Sequence, residues 1–145
     1  MALRSALLVE STVDEGRAAR SFLESLDFDV VHLTEHAPAF DHLSRRSYDL
    51  AVIEMTGGRA CDFELLQYIT RNLFKTPTIA TTSPANSNLG AKALQKGARS
   101  FLVKPFAEES LRQYVRQALE FQRHAEQAQR LARLRQQERQ IVAAD

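Results

Sequence analysis

Short runs of apolar residues alternate along the chain with segments in which apolar residues recur every three or four positions. Five of the runs are nearly continuous in apolar residues, which is typical of parallel strands buried on both faces of a sheet. We predict strands at Ser5–Glu10, Asp29–Leu33, Leu50–Glu54, Thr78–Thr82 and Ser100–Val103. A helical segment follows each strand, so the pattern predicts an α/β fold, a doubly wound five-stranded parallel sheet with five helices.

Local sequence signals mark the start of each of the first three helices and the end of the fourth. Thr12 and Glu15 stand at capping-box spacing before the first helix, and Pro38 suits the first turn of the second. Asp62 is expected to cap the third helix. Gly97 is expected to end the fourth.

The fifth helix is expected to begin after Pro105 and to continue to about Gln140, because the chain there is rich in good helix formers and lacks Gly and Pro. We therefore divide the chain into a domain, 1–119, and a C-terminal helical extension, 120–145. Apolar residues at alternating spacings of three and four predict a coiled-coil seam for a homodimer: Leu111, Tyr114, Ala118, Phe121, Ala125, Ala128 and Ala132. A second apolar set shifts this stripe, and a long solvated helix is the alternative: Leu131, Leu134 and Ile141.

The nearly balanced charge does not favour nucleic-acid binding or membrane binding. Lysine and arginine number 19 and aspartate and glutamate 18, so the formal net charge of +1 favours binding to neither nucleic acid nor an anionic membrane. The extension carries a basic streak, but Glu126 and Glu138 interrupt it and no aromatic residues are interleaved with it, which favours a solvated helix flank. The streak consists of Arg130, Arg133, Arg135 and Arg139.

Targeting signals and disulfides are not indicated. No apolar stretch approaches the ~20 residues of a membrane span, and the apolar run at the N-terminus is too short for a signal peptide. Cys61 is the single cysteine, so no internal disulfide can form and nothing indicates an oxidising compartment. We expect a cytoplasmic protein without membrane contact.

Polar residues follow several of the predicted strands. The carboxyl ends of parallel strands lie at one edge of a sheet, where ligands bind, so we expect Glu10, Glu54 and Thr82 to lie close together. Lys104 comes just after the fifth strand and is expected to join them. Two alternatives stay open, a plain salt bridge between Glu54 and Lys104 and separate solvated side chains.

The histidines offer a rival site. His32, His36 and His42 occur close together in the sequence, but their spacings do not repeat one helical face and no acid or cysteine completes a ligand set. We therefore predict no histidine metal site and expect these side chains to be exposed.

Five segments resemble, in order, the receiver domains of bacterial two-component response regulators: "LLVES", "YDLAVIE", "FELL", "TPTIATTS" and "KALQKGARSFLVKPF". The likeness runs from about Leu7 to Leu119, and the last segment is its most specific part. The resemblance implies a flavodoxin-like receiver fold and a role in phosphorelay signal transduction, with a histidine kinase or an output domain as candidate partners.

The resemblance also implies roles for particular residues. In the family, an aspartate at the end of the third strand accepts a phosphoryl group, and that aspartate and an acidic pair hold Mg²⁺. Glu54 stands at the acceptor position here, and Glu10 and Ser11 stand at the acidic pair. The resemblance gives the positions that contact the phosphoryl group or switch with it as Thr82, Phe101 and Lys104. For Thr82 and Phe101, simple core packing without switching is the alternative.

Two departures weaken that chemistry. The extra methylene of Glu54 shifts the attacking oxygen by about a bond length, and a misplacement of ~1 Å can cost on the order of 10²-fold in rate. Ser11 removes a formal charge from a site that must bind a divalent cation. We therefore expect no catalytic residue, no cofactor, and weak or absent Mg²⁺ binding.

The leading hypothesis is a non-enzymatic pseudo-receiver, an interaction and dimerisation module in which phosphorylation is absent or vestigial. The first alternative is a phosphorylatable response regulator. A small α/β enzyme is a weaker alternative, because the sequence has no glycine-rich phosphate loop and no nucleophile elbow. Whether Glu54 imitates a phosphorylated aspartate or only fills the space is left open.

Overall fold

The structure, a computed structural model, describes residues 3–57, 61–73 and 75–144. Its strands are β1 (Arg4–Val9), β2 (Phe28–Leu33), β3 (Leu50–Met55), β4 (Thr78–Thr82) and β5 (Ser100–Val103). Its helices are α1 (Val13–Glu24), α2 (Ala37–Arg45), α3 (Cys61–Asn72), α4 (Leu89–Gln95) and α5 (Glu108–Ala144). Each predicted strand is confirmed to within one residue. The side chain of Cys61 lies outside the described part of the chain.

All five strands are parallel and form one sheet in the order β2-β1-β3-β4-β5. The predicted doubly wound fold is therefore confirmed. The carboxyl ends of β1 and β3, which lie side by side in the sheet, deliver Glu10 and Glu54 to the same edge.

Two apolar layers cover the sheet, because successive side chains of a strand point to opposite faces. In β1, Leu7 and Val9 pack with α2, α3 and α4, whereas Ala6 and Leu8 pack with α1 and α5. Burial on both faces explains why the strands are continuous apolar runs without the alternation of a half-exposed sheet.

Two predictions of side-chain caps, at Thr12 and Asp62, are wrong. Thr12 does occupy the cap position of α1, but its side chain makes no capping hydrogen bond. Asp62 lies inside α3, where its buried carboxylate accepts hydrogen bonds from Thr56 N (3.1 Å), Thr56 Oγ1 (2.6 Å) and Gly57 N (2.8 Å). Asp62 thus connects Thr56 and Gly57, which follow β3, to α3.

The long fifth helix is present and ends four residues beyond the predicted Gln140. Its first part belongs to the domain, since Leu111 is fully buried in the layer shared with α1 and Ala118 is 2% exposed. These two residues are therefore not available to a partner helix, and the predicted dimer seam is wrong in its first part. They are buried in the domain core because α5 itself covers one face of the sheet.

Tyr114 is half-buried and packs against the same layer as Leu111. The rest of the predicted seam has a different environment. Ala125 is half-buried, and Phe121 is 52% exposed with the guanidinium of Arg99 4.0 Å from its ring centroid. Ala128 and Ala132 are exposed, as are nearly all side chains beyond residue 126. Among the described residues, no helix combines the length and the apolar character that a membrane span requires.

Candidate functional site

Lys104 lies at the centre of a cluster of carboxylates at the carboxyl edge of the sheet. Its Nζ donates hydrogen bonds to Glu10 Oε1 at 2.9 Å, Glu15 Oε2 at 2.6 Å and Glu54 Oε2 at 3.1 Å. The side chains of Glu10 and Glu54 are only 4% and 8% exposed, and that of Lys104 is 12% exposed. The structure therefore brings together three of the four residues that were expected to converge.

Ser11 is the second partner of Glu54. Its hydroxyl donates to Glu54 Oε1 at 2.7 Å, and its backbone N–H donates to Glu54 Oε2 at 3.2 Å. Glu10 is held in a similar way, since its Oε2 accepts a hydrogen bond from Thr12 N at 2.8 Å. Both oxygens of each buried carboxylate thus have a donor.

Glu15 is a member of the site that sequence reasoning missed. The capping-box spacing placed its carboxylate at the start of α1, but that carboxylate reaches Lys104 instead. Thr12 N, the donor that Glu15 was expected to satisfy, is taken by Glu10. The stronger attraction of a charged ammonium explains the difference.

Thr82 does not join the cluster. Sheet register pairs Glu54 with Thr81 and Met55 with Thr82, so Thr82 lies on the face of the sheet that carries Met55. Its hydroxyl is fully buried and has no hydrogen-bond partner within the described ranges. Thr81 instead lines a cavity of about 100 Å³ beside Lys104, and nothing in the sequence pattern singled it out.

Phe101 is half-buried and packs against the apolar layer formed by α2, α3 and α4. Its ring lies against Gly90 of α4, where a Cβ would overlap the ring. The glycine that weakens α4 in the sequence thus provides the space for this aromatic side chain.

Replacing Gly90 with alanine is therefore expected to destabilise the domain. Alanine is the better helix former by about 1 kcal/mol, but overpacking against the ring typically costs roughly 1–3 kcal/mol, so we expect a net loss of about 1 kcal/mol. Urea unfolding of Gly90→Ala measures the change. Phe101→Leu in the same chain should recover the loss, and an unchanged or raised stability of Gly90→Ala alone would contradict the packing.

The cluster has three carboxylates and one ammonium, and the pKa values reflect this imbalance. Burial, together with the neighbouring Glu54, raises the pKa of Glu10 from 4.5 to about 7. Burial also acts to raise the pKa of Glu54, but hydrogen bonds from Glu10, Ser11 and Lys104 outweigh it and lower that pKa to about 2. Burial acts to lower the pKa of Lys104, but its three carboxylate partners raise it above the ordinary value.

These shifts predict how stability depends on pH. Because the folded protein binds the proton of Glu10 more tightly than the unfolded chain, the Glu10 contribution falls as pH rises from 4.5 through about 7. The Glu54 contribution is present above 4.5 and is lost as pH falls toward about 2. We expect the unfolding free energy to drop by about 1–3 kcal/mol between pH 5 and pH 8 through Glu10.

Urea unfolding at a series of pH values tests this expectation. Glu10→Gln cannot titrate, so the difference between the two proteins isolates the Glu10 contribution from that of the histidines. Parallel stability curves for the two proteins would contradict a raised pKa at Glu10.

Two histidines hold the backbone at the ends of the site strands. His32 Nε2 lies 3.0 Å from the carbonyl oxygen of Glu10, and His36 Nε2 lies 2.7 Å from that of Glu54. His36 is 7% exposed, and His32 and His42 are half-buried, so the prediction that these side chains are exposed is wrong. The carbonyl groups at the strand ends supply the buried partners that the sequence could not reveal.

Carboxylate oxygens of Glu10, Glu15 and Glu54 lie within 4.8 Å of one another, close enough to bind a common cation. Lys104 Nζ already bonds all three, and Ser11 uses its hydroxyl to donate to Glu54. An Mg²⁺ ion with oxygen ligands at ~2.0–2.1 Å would have to displace this ammonium. The arrangement of these residues therefore does not fit a magnesium site.

Comparisons with known proteins agree with the fold. The response regulator receiver domain family matches residues 6–116. The chain is 29% identical over 118 residues, 80% of its length, to a C4-dicarboxylate response regulator, DctR, of Priestia megaterium. It is 25% identical over 112 residues, 77% of its length, to the regulatory protein LuxO of Vibrio cholerae. The chain spans 52% of the first relative's length and 25% of the second's.

Solved structures show the same architecture. The signal receiver domain of a Luxo repressor protein from Vibrio parahaemolyticus superposes with a TM-score of 0.75 at 23% identity, covering 87% of this chain and 98% of that one. NtrX from Brucella abortus superposes with a TM-score of 0.81 at 22% identity, over 90% of this chain and 30% of that one. Since the family match covers most of the chain and the sheet order and site edge agree with it, this protein belongs to the response regulator receiver domain family.

Proposed function

We propose that this chain is an atypical receiver that acts in signal transduction as a protein-interaction module, with phosphorylation absent or vestigial. The observation that carries the proposal is the state of Glu54 at the acceptor position. One of its oxygens accepts from the Ser11 hydroxyl and the other from Lys104 and the Ser11 backbone. A carboxylate held in this way, and longer than aspartate by a methylene, is a poor phosphoryl acceptor.

Ser11 is uncharged, although it stands at a position of the acidic pair, and this supports the same conclusion. Receiver chemistry needs a divalent cation beside the acceptor, and Lys104 takes the place between the carboxylates. Magnesium binding is accordingly expected to be weak or absent, since a bound ion would have to separate Lys104 from three partners.

Glu54 can bias the domain toward an active form only in part. A charged hydrogen bond contributes roughly 1.5–3 kcal/mol, whereas moving a two-state element from 1:99 to 99:1 takes ~5.5 kcal/mol. A carboxylate also carries one negative charge, compared with ~1.5 to 2 on a phosphoryl group. Imitation of the phosphorylated state and simple filling of the pocket both stay compatible with the contacts of Glu54.

Intact-mass spectrometry tests the absence of phosphorylation. The full chain is incubated with acetyl phosphate and Mg²⁺, and no added phosphoryl group is expected. A phosphoryl group that appears on the natural chain and disappears in Glu54→Gln would overturn the proposal. That result would favour the alternative, a phosphorylatable response regulator.

The extension supplies the interaction surface in this proposal. We take 1–119 as the receiver-like domain and 120–145 as a helical extension that pairs with a second copy, with a kinase or an output domain as further candidate partners. Large apolar side chains support the pairing because they stay in water on the single chain: Leu131 is 54% exposed, Leu134 49% and Ile141 65%. Burying each contributes roughly 1.5–3 kcal/mol, so their exposure on a soluble helix favours a partner.

Light scattering of the full chain tests the pairing. We expect the mass of two chains at micromolar concentration and the mass of one chain for the double variant Leu131→Gln, Leu134→Gln. Gln129→Ala, a change outside the apolar stripe, serves as the matched control and should leave the mass of two chains. A natural chain that is monomeric at every concentration would contradict the dimer.

A further inference from the structure

The exposed end of α5 carries a stripe that differs from the predicted alanine seam. Leu131, Leu134, Glu138 and Ile141 follow one another at spacings of three, four and three, and therefore lie along one face of the helix. All four side chains are exposed. We call these four residues the distal stripe. It provides larger apolar side chains than Ala125, Ala128 and Ala132 do.

Glu138 is the informative member of the distal stripe, because it is a charged residue among aliphatic ones. Within the described residues it makes no salt bridge, although Arg135 and Arg139 are close to it in sequence. A lone polar residue in such a stripe acts on the orientation and register of a helix pair by favouring the arrangement that gives it a partner.

We propose that the distal stripe binds the distal stripe of a second copy in antiparallel orientation, with Leu131 opposite Ile141 of the second copy. This inference rests on the dimer of the proposed function. In that register Leu134 lies opposite Glu138 of the second copy, and each Glu138 comes beside Arg135 of the other helix. The two-fold axis repeats this contact, so the pair contains two identical interchain ion pairs.

A parallel, in-register pair would place like charges together. Glu138 would then face Glu138 of the second copy in the stripe itself. Arg130 and Arg135, which flank the stripe as g and e positions, would also meet across the interface. Like charges at such positions destabilise a helix pair. The antiparallel register also brings the two Arg135 side chains together at the two-fold axis, but there each has Glu138 of the other helix beside it, which turns the Glu138 contact into an attraction.

Glu138→Gln gives opposite results for the two orientations. In the antiparallel pair the variant loses two ion pairs, so the dimer dissociation constant should rise about 3- to 10-fold at low salt. In the parallel pair the variant relieves a repulsion, and the dissociation constant should fall. Sedimentation equilibrium of the full chain measures the constant. Glu120→Gln, the same change on the same helix outside the stripe, is the matched control and should leave it unchanged.

Charge reversal provides a second readout. Glu138→Arg and Arg135→Glu should each weaken the antiparallel dimer, and the double variant should restore it because the two opposite charges exchange helices. Failure of the double variant to recover affinity would overturn the antiparallel contact.

Disulfide crosslinking then fixes the orientation directly. In a Cys61→Ser background, chains with Leu131→Cys are mixed with chains carrying Ile141→Cys under oxidising conditions. We expect a disulfide between the two kinds of chain and little between two Leu131→Cys chains. A dimer that crosslinks Leu131→Cys to itself would refute the orientation and leave the proposed dimer intact, whereas a monomeric natural chain would refute both.

Discussion

Lys104→Met is expected to lower the free energy of unfolding by about 3–5 kcal/mol at pH 7, because removing one partner from a buried ion cluster leaves the remaining charges uncompensated. Lys104 Nζ donates hydrogen bonds to Glu10, Glu15 and Glu54. Glu10 and Glu54 are buried. Methionine keeps much of the length and apolar volume of the lysine stem. Urea unfolding followed by circular dichroism measures the loss.

Two further variants show that the loss comes from the buried carboxylates. Glu15→Gln removes the partner that is 49% exposed, and it should cost only about 0.2–1 kcal/mol because solvent screens an exposed ion pair. Adding Glu10→Gln and Glu54→Gln to Lys104→Met should recover most of the stability, since no buried charge then lacks a counterion. A loss below about 1 kcal/mol for Lys104→Met alone would contradict a structural role of the cluster.

The sheet could be predicted from sequence because its signal is local and repeated. A strand buried on both faces must be apolar at nearly every position, and β1 and β3 show this pattern without interruption until Glu10 and Glu54. The edge at which these residues meet follows from parallel strand order alone. The fold, the limits of the strands and the proximity of Lys104 to both carboxylates can therefore be predicted from the sequence.

The rest of the site depends on contacts between distant residues. Glu15 has a local partner in the sequence pattern, the cap of α1, yet it binds Lys104, 89 residues further along the chain. His36 has no visible partner in the sequence, and its ring nitrogen lies against the carbonyl oxygen of Glu54. Backbone groups carry no sequence signal, so a histidine that bonds one cannot be told from an exposed histidine.

Thr82 and α5 show a second kind of limit, the choice between two faces of one element. The threonine was expected beside Glu54, but the sheet register gives that neighbour to Thr81. In the same way, Leu111 and Ala118 have the spacing of a coiled-coil seam, but both are buried in the domain core. Spacing identifies a face, and only packing decides what covers it.

The double variant Ser11→Asp, Glu54→Asp is expected to gain phosphorylation that the natural chain lacks. Shortening the acceptor by one methylene moves its oxygen by about a bond length, and a correction of ~1 Å can be worth on the order of 10² in rate. The carboxylate at position 11 adds an oxygen ligand and a negative charge for Mg²⁺, and it removes the hydroxyl that now donates to Glu54 Oε1. Intact mass after incubation with acetyl phosphate measures the labelled fraction.

Single variants and magnesium dependence separate the two contributions. Glu54→Asp alone should label more weakly than the double variant, because Ser11 still leaves the site short of one charge. Ser11→Asp alone should stay unlabelled if the length of Glu54 is the main obstacle. Chelation of Mg²⁺ should abolish the labelling of the double variant. A double variant that is folded and binds Mg²⁺ but stays unlabelled would contradict the prediction that Glu54 and Ser11 are what prevent phosphorylation.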